Sequence, residues 1–579
     1  MKRIVIVGGV AAGMSAAARL RRLDEQAQII VLERDRYVSY ANCGLPYHLG
    51  GVIPNREHLL VATPEHLRAT LNLDVRTEQE VVGVDRAAQR VQVVDLTSGT
   101  HYDEPYDVLV LTQGATPLRP PVPGIEHSRV LSLRNIPDMD AISALLDGGA
   151  QSAIVIGGSY IGVEVVEALR MRGLNVDLVE LQDQVMPLLD PELATDLRDH
   201  MLLHGVRLHL GTAATAFREV GGRVAVDLQR GDTLTADFVV LAIGVRPVAT
   251  LAKAIGLELG SRGGIAVDAH MRSSDPTIYA AGDMVEVTDT VTGEPALIAL
   301  AGPANRQGRI IADHICGRDS AYTSTQGTAV VKIFEMTAAM TGASERTLRR
   351  VGRPFAKITI HPSGHAGYYP GTQAMQLKLL FAPDDGKVLG AQIVGYDGVD
   401  KRIDVLATAI RSGLSVYDLE HLELAYAPPY GSAKDPVNMA GFVAANLLRG
   451  DVVAWYAEDY AQLDPTTILL DVRSPEEFAA WHMPNAINIP LPEVRSRMDT
   501  IKALAARGPL RLYCMVGFRS YQAHRILHQY GIADVATLSG GAKTFLGFYR
   551  TSLNSDQPDL PVIVHAPADL VAEAMLDAA

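Results

Sequence analysis

Residues 2-KRIVIVGGVAAGMSAAARLRRLDEQAQIIVLERD-35 decide the fold. An apolar run at 4–7 stops at Gly8 and Gly9, and a third glycine, Gly13, falls inside a stretch with helical spacing. A second apolar run at 29–32 ends on Glu33, 20 residues after Gly13. Strand, glycine turn, helix, strand and acid is the order of a βαβ unit. Its turn admits a pyrophosphate to the helix N-terminus, and the acid is placed for a ribose hydroxyl. Val10 stands where the middle glycine would be, so the context carries the reading and the glycine spacing alone does not.

The pattern recurs at 152-SAIVIGGSYIGVEVVEALRMRGLNVDLVELQD-183, with Gly157, Gly158, Gly162 and a terminal Glu180. Ser159 replaces the middle glycine here. An acid at the end of the second strand favours a free ribose 2′-hydroxyl over a 2′-phosphate, so NADH is expected ahead of NADPH. The plainer alternative is one nucleotide site and one structural βαβ unit. Against it stand 108-VLVLTQGATP-117 and 277-TIYAAGD-283, each an apolar strand closed by a small-residue turn, the second ending in a carboxylate.

At 579 residues the chain exceeds one core, and three or four domains are expected. A net charge of −14 points away from nucleic acid and membrane surfaces. No apolar run reaches the roughly 18 residues of a membrane span. The basic, apolar start runs straight into the glycine turn, so it reads as the first strand and not as a signal peptide. Three cysteines, Cys43, Cys316 and Cys514, make no disulfide framework, and a cytoplasmic location is expected.

Over roughly 1–446 the sequence resembles the FAD-dependent pyridine nucleotide–disulfide oxidoreductases. The resemblance implies that Gly8, Gly9, Gly13 and Glu33 hold FAD, with Thr112 and Gly114 of the TQGATP turn and Asp283 of the AAGD turn. It likewise implies that Gly157, Gly162 and Glu180 hold NADH and that Tyr160 gates the flavin face. Disulfide reductases of this group use Cys-x4-Cys, and with four residues between, the counterpart of the second cysteine in 39-SYANCGLPYHLGG-51 is His48. Cys43 must then cycle alone, as a sulfenic acid or as a mixed disulfide with an outside thiol. The related peroxidases and oxidases carry a histidine in the first glycine loop, where this chain has Ala11. The SYANCGLPY segment resembles the coenzyme A-disulfide reductases, which favours the mixed disulfide.

Ser15, Arg19 and Arg22 fall at i, i+4 and i+7, one face of the first helix, and suit a phosphorylated ligand. Such a stripe is ordinarily a solvated face; the resemblance makes it a coenzyme A site, with Ser39, Asn42, Asn305 and Lys434. Residues 324–446 resemble the family's dimerisation domain, which implies a homodimer. Tyr368 and Tyr426 match tyrosines that lie near the thiol and flavin in that group, and Tyr369 and Tyr430 are adjacent candidates. Cys316 has no motif around it and reads as structural.

The pattern restarts beyond 447–461, which reads as a linker. TTILLDVRSPEEF, HMPNAINIP and the Cys514-to-Arg519 loop resemble a rhodanese. Cys-x4-Arg is one residue shorter than a cysteine phosphatase loop and suits a single persulfide sulfur. The resemblance casts Cys514 as the sulfur carrier with Arg519 beside it, and leaves Asp471, Arg473 and His482 as scaffold. A rhodanese fold kept only for docking is the alternative.

The expected fold is α/β: two Rossmann-like dinucleotide domains, an α+β dimerisation domain and a C-terminal α/β rhodanese domain. The boundaries read as 1–115 with 247–323 for FAD, 116–246 for NADH, 324–446, 462–560, and a helical amphipathic tail at 561–579. The expected activity is NADH-dependent reduction of coenzyme A disulfide and per- or polysulfides, with the rhodanese relaying sulfane sulfur. No metal, nucleic acid or membrane partner is expected. An NADH oxidase or peroxidase, and a sulfur-carrier or redox-sensor protein without turnover, are the other readings.

Overall fold

The computed structural model describes residues 1–552, so the expected helical tail lies outside the described residues. The chain divides into two compact units, residues 1–181 with 205–327, and 182–204 with the chain from 328 onward.

The first unit holds two all-parallel five-stranded sheets. In one, Ile278–Ala280, Val108–Leu111, Arg3–Val7, Gln28–Leu32 and Asp74–Arg76 lie in that order. In the other the order is Arg207–Leu210, Asn175–Glu180, Ser152–Ile156, Phe238–Leu241 and Val130–Ser132. The central strands RIVIV and SAIVI are apolar on both faces and buried almost throughout, as parallel strands covered on two sides must be. The register Ile4↔Ile29 and Val7↔Leu32 brings Glu33 level with the glycine turn, which follows from the strands' equal lengths. Helix Ala11–Leu23 packs closely on helix Ala301–Ile315 because Gly308 lets the backbones approach; a Cβ there would collide with the Ala12 carbonyl.

The second unit begins with an antiparallel sheet in the order Ala329–Ile333, Met336–Gly342, Val388–Gly395, Gln376–Phe381 and Ala356–Ile360, joined by helices Val399–Ser412 and Pro436–Leu448. A parallel sheet of Ala454–Trp455, Val535–Leu538, Leu510–Tyr513, Ile468–Asp471 and Ile487–Asn488 follows. Its two faces bury separate cores: Leu470, Leu510 and Leu512 on one, Leu469, Tyr513 and Trp455 on the other, the alternation of a strand.

Two stretches sit differently from the sequence reading. The expected linker contributes the edge strand Ala454–Trp455. Residues 182–204, expected inside the NADH domain, group with the second unit. One tie is Lys378, fully buried on a strand of the antiparallel sheet: its Nζ lies 2.9 Å from Asp190 and 2.5 Å from Glu192, and it also meets Glu345. Gln392 adds two hydrogen bonds to Asp190, accepting from its N–H at 2.7 Å and donating to its carboxylate at 3.0 Å. Among the described residues no helix is long and apolar enough to cross a membrane.

Candidate active site

Both glycine turns are built alike. Gly8 (φ +106°) and Gly157 (φ +107°) adopt a conformation that only glycine takes freely, and a Cβ on either would collide with a neighbouring strand's carbonyl, Thr112 or Ala242. A Cβ on Gly13 would overlap the Gly8 carbonyl, and one on Gly162 the Gly157 carbonyl, so each helix reaches its turn only because these residues lack side chains. Glu33 accepts from the Gly9 N–H at 2.7 Å and the Asp35 N–H at 2.8 Å; Glu180 accepts from the Gly158 N–H at 2.6 Å. Burial pushes the Glu33 carboxyl up, with those backbone donors opposing it. Thr112 donates to the carbonyls of Val7 and Gly8, each at 2.9 Å, and so latches the first turn; Gly114 (φ +72°) bends the chain just after it.

Two groups near the first turn are left for a ligand. Gln113 Oε1 is buried with no hydrogen-bond partner among the described residues. Asp283 is half-buried and burial raises its carboxyl, with Arg134 opposing. The same Arg134 guanidinium, whose Nη2 donates to the Gln113 carbonyl at 3.1 Å, also opposes the rise of Glu33. The orphaned Gln113 oxygen, the Asp283 carboxylate and the glycine turn fit a dinucleotide with ribityl and ribose hydroxyls to donate. At the second turn Tyr160 opens helix Tyr160–Met171, and burial raises its phenol to about 12.

Cys43 lies in the short helical turn Asn42–Gly44, directly before helix Leu45–Leu49. Its side chain meets water, yet neighbouring protein atoms partly desolvate it. That desolvation, and then the negative charges of Glu164 and Asp283, push the thiol pKa up. Asn42 Oδ1 lies 3.7 Å from Sγ and accepts the Cys43 N–H at 3.1 Å. Ser39 takes a left-handed conformation (φ +47°) and donates its N–H to the Gly9 carbonyl, which ties the cysteine segment to the first glycine turn. His48 turns away, with Nδ1 2.7 Å from the Ile53 carbonyl.

Glu164 and Tyr47 were not singled out by the sequence reading. Tyr47 donates to Glu164 at 3.2 Å, and burial raises the Glu164 carboxyl to about 7. The available signal was the acid two residues after Gly162, inside the second glycine motif.

The expected coenzyme A residues fall into distinct situations. Ser15 donates to Asn305 across the paired helices, joining residues far apart in sequence. Arg19 is taken up by Asp313, at 2.9 Å through Nε and 2.7 Å through Nη2, whereas Arg22 is exposed. Lys434 belongs to the second unit and is exposed. In that unit the hydroxyls of Tyr368 and Tyr426 meet at 2.7 Å on exposed surface, with Tyr369 and Tyr430 also exposed. Cys316 packs against the first unit's core, and burial raises its thiol pKa.

Cys514 is buried at the end of strand Leu510–Tyr513, under the loop that leads to helix Phe518–Gln529. Gly517 (φ +95°) turns its N–H toward Sγ at 3.2 Å. Arg519 is held by a second residue absent from the sequence reading: Glu477 accepts two parallel bonds from it, both 2.7 Å, and this pairing raises the guanidinium pKa. Glu477 also closes the capping box of helix Pro475–Ala480 with Ser474. Asp471 and Arg473 form a fully buried bidentate pair whose guanidinium also reaches the Trp481 carbonyl, a scaffold arrangement. His482 is exposed and stacks on Phe478.

Residues 2–308 match the pyridine nucleotide-disulphide oxidoreductase family, 328–435 its dimerisation domain, and 440–547 the rhodanese-like domain. A coenzyme A disulfide reductase of Staphylococcus haemolyticus is 32% identical over 449 residues, 77% of this chain and all of that protein. The reduced CoADR-RHD structure of Bacillus anthracis is 45% identical, with a TM-score of 0.92 over 95% of this chain and 98% of the other. An NAD-dependent persulfide reductase from A. fulgidus is 36% identical, with a TM-score of 0.88 over 94% of this chain and 100% of the other.

Proposed function

This chain belongs to the pyridine nucleotide–disulphide oxidoreductase family and carries a rhodanese-like domain, and from that premise we propose that it reduces coenzyme A disulfide and coenzyme A per- and polysulfides at the expense of NADH. The observation that carries this reading is Cys43, a lone accessible thiol with His48 turned away where a second cysteine would stand. When bound, FAD supplies two-electron transfer between NADH and sulfur.

Cys43 thiolate attacks the coenzyme A-bound sulfur of the persulfide. A new S–S bond joins Cys43 to coenzyme A, and sulfide leaves with the electron pair of the broken bond. Asn42 positions the sulfur, and Ser15, Asn305 and Arg22 hold the ligand, with Arg19 positioned through Asp313. Two electrons then split the mixed disulfide, and coenzyme A departs as a thiol. The hydrogen-bonded hydroxyls of Tyr368 and Tyr426 suit the proton donor, contributed by the other subunit of a homodimer. Glu180 supports NADH over NADPH. Cys514 takes a sulfane sulfur as a persulfide under the Gly517 amide and Arg519, then passes it to coenzyme A.

The test is anaerobic NADH consumption with coenzyme A disulfide and coenzyme A persulfide in parallel. Cys43→Ser is expected to lower turnover at least about a hundredfold, as removal of a nucleophile does. Cys514→Ser is expected to spare direct reduction and to lose the reaction fed by a sulfane donor plus coenzyme A. NADH consumption seen only after oxygen is admitted would overturn the reading in favour of an oxidase.

A further inference from the structure

Apart from both sulfur sites, the second unit gathers two imidazoles and a carboxylate at one point. His200 and His204 are four residues apart, one helical turn, at the C-terminal end of helix Pro191–Leu203. Their ring centroids are 4.5 Å apart. Glu335 arrives from the two-residue turn between strands Ala329–Ile333 and Met336–Gly342. One of its oxygens, Oε2, lies 3.2 Å from His200 Nε2 and 3.0 Å from His204 Nε2.

The hydrogen-bond pattern calls for either a proton or a metal ion between these atoms. His204 Nδ1 lies 2.9 Å from the His200 carbonyl, which only accepts, so Nδ1 carries the hydrogen. In the neutral ring the lone pair is then on Nε2, facing the carboxylate. A lone pair set against a carboxylate oxygen at 3.0 Å repels unless a positive charge bridges them. A tetrahedral ion bound at about 2.0–2.1 Å puts its ligand atoms about 3.3 Å apart. The two nitrogen-to-oxygen separations, 3.2 and 3.0 Å, come close to that edge, and all three ligand atoms lie within 4.8 Å of one another.

The surroundings hold these ligands in place. Phe334 adopts φ +53°, a conformation that costs a side-chain-bearing residue on the order of 1 kcal/mol or more. In return its ring stacks on His204 at 3.9 Å, and Phe334 and Tyr396 stand edge-on to His200 at 6.0 and 5.7 Å. Two imidazoles and a carboxylate form a borderline donor set, suited to zinc and its neighbours and unsuited to calcium or magnesium.

We propose that His200, His204 and Glu335 form a divalent transition-metal site, with zinc the best match, that staples helix Pro191–Leu203 to the Phe334–Glu335 turn. None of the three residues takes part in the sulfur chemistry proposed above.

The test uses the full chain with Cys43, Cys316 and Cys514 replaced by serine, stripped with a chelator. Zn²⁺ is titrated by calorimetry and Co²⁺ by visible absorption. One Zn²⁺ per chain and a four-coordinate cobalt spectrum are expected, with Glu335→Gln and His204→Ala each weakening Zn²⁺ binding at least about tenfold. Glu335 is exposed, so Glu335→Gln tests the site without a folding defect even if a histidine variant misfolds. Absence of stoichiometric binding, or binding that Glu335→Gln leaves unchanged, would overturn the proposal and leave an imidazolium–carboxylate ion pair.

Discussion

Cys43 is not primed by its own surroundings: burial and two carboxylates all disfavour its thiolate. Of the two, Glu164 titrates in the neutral range, near 7, so the obstacle depends on pH. Above pH 7 Glu164 is charged and adds to the burial that disfavours the Cys43 thiolate; below about pH 6 it is neutral. Glu164→Gln is therefore expected to speed iodoacetamide alkylation of Cys43 about two- to tenfold at pH 8 and to change nothing at pH 5.5. The measurement needs the ligand-free protein, with Cys316 and Cys514 replaced by serine. An equal rate at pH 8 would mean that Glu164 does not act on the thiol.

Among elements, the glycine turns and the rhodanese loop are the most sensitive to single changes. Gly13→Ala forces a Cβ onto the Gly8 carbonyl. Overpacking of this kind costs about 1–3 kcal/mol. If the turn yields in place of the helix, FAD affinity should fall roughly ten- to a hundredfold, read as flavin per chain after dialysis. In the rhodanese domain Glu477 has two duties, a helix cap and the anchor of Arg519. Ser474→Ala removes only the cap and should cost about 0.5–2 kcal/mol of stability. Glu477→Gln keeps the cap but removes the charge that pairs with Arg519, and should lower sulfurtransferase activity about tenfold, as measured losses of orienting partners suggest. Matched activities in the two variants would show that Arg519 needs no anchor.

Across the molecule, the chain enters the second unit at residue 182, returns to the first at 205, and re-enters the second at 328. Lys378 is one of the ties that hold the 182–204 excursion. Burial would strip its proton, but Glu192, Asp190 and Glu345 overcome this and keep it charged well above its ordinary range. Lys378→Met leaves Asp190 and Glu192 buried without their cation, and should destabilise the second unit by about 3–5 kcal/mol, seen as a lowered melting temperature. Burial alone would raise the Glu345 carboxyl, yet Lys378 and Lys357 hold it down to about 2. A carboxyl lowered in the folded state adds stability above its unfolded pKa near 4.5 and loses it as pH falls toward 2. Acid titration of wild type and Glu345→Gln should therefore converge at the low end of that window.

Both βαβ units, the lone Cys43 and the Cys514 loop were legible in the sequence because each depends on local spacing. Only glycine permits the turns, and period and burial along a strand follow from its own residues. Contacts between distant segments were not legible. Nothing local marks Glu164 as the partner of Tyr47 or Glu477 as the hold on Arg519. Arg19 shared a stripe with Arg22, but only the packing of the first helix on Ala301–Ile315 gave it to Asp313. The sequence by itself determined which chemistry-bearing residues exist and which turns could present them. The tertiary structure decided their charges and partners, because desolvation and ion pairing depend on what the fold brings within a few ångströms.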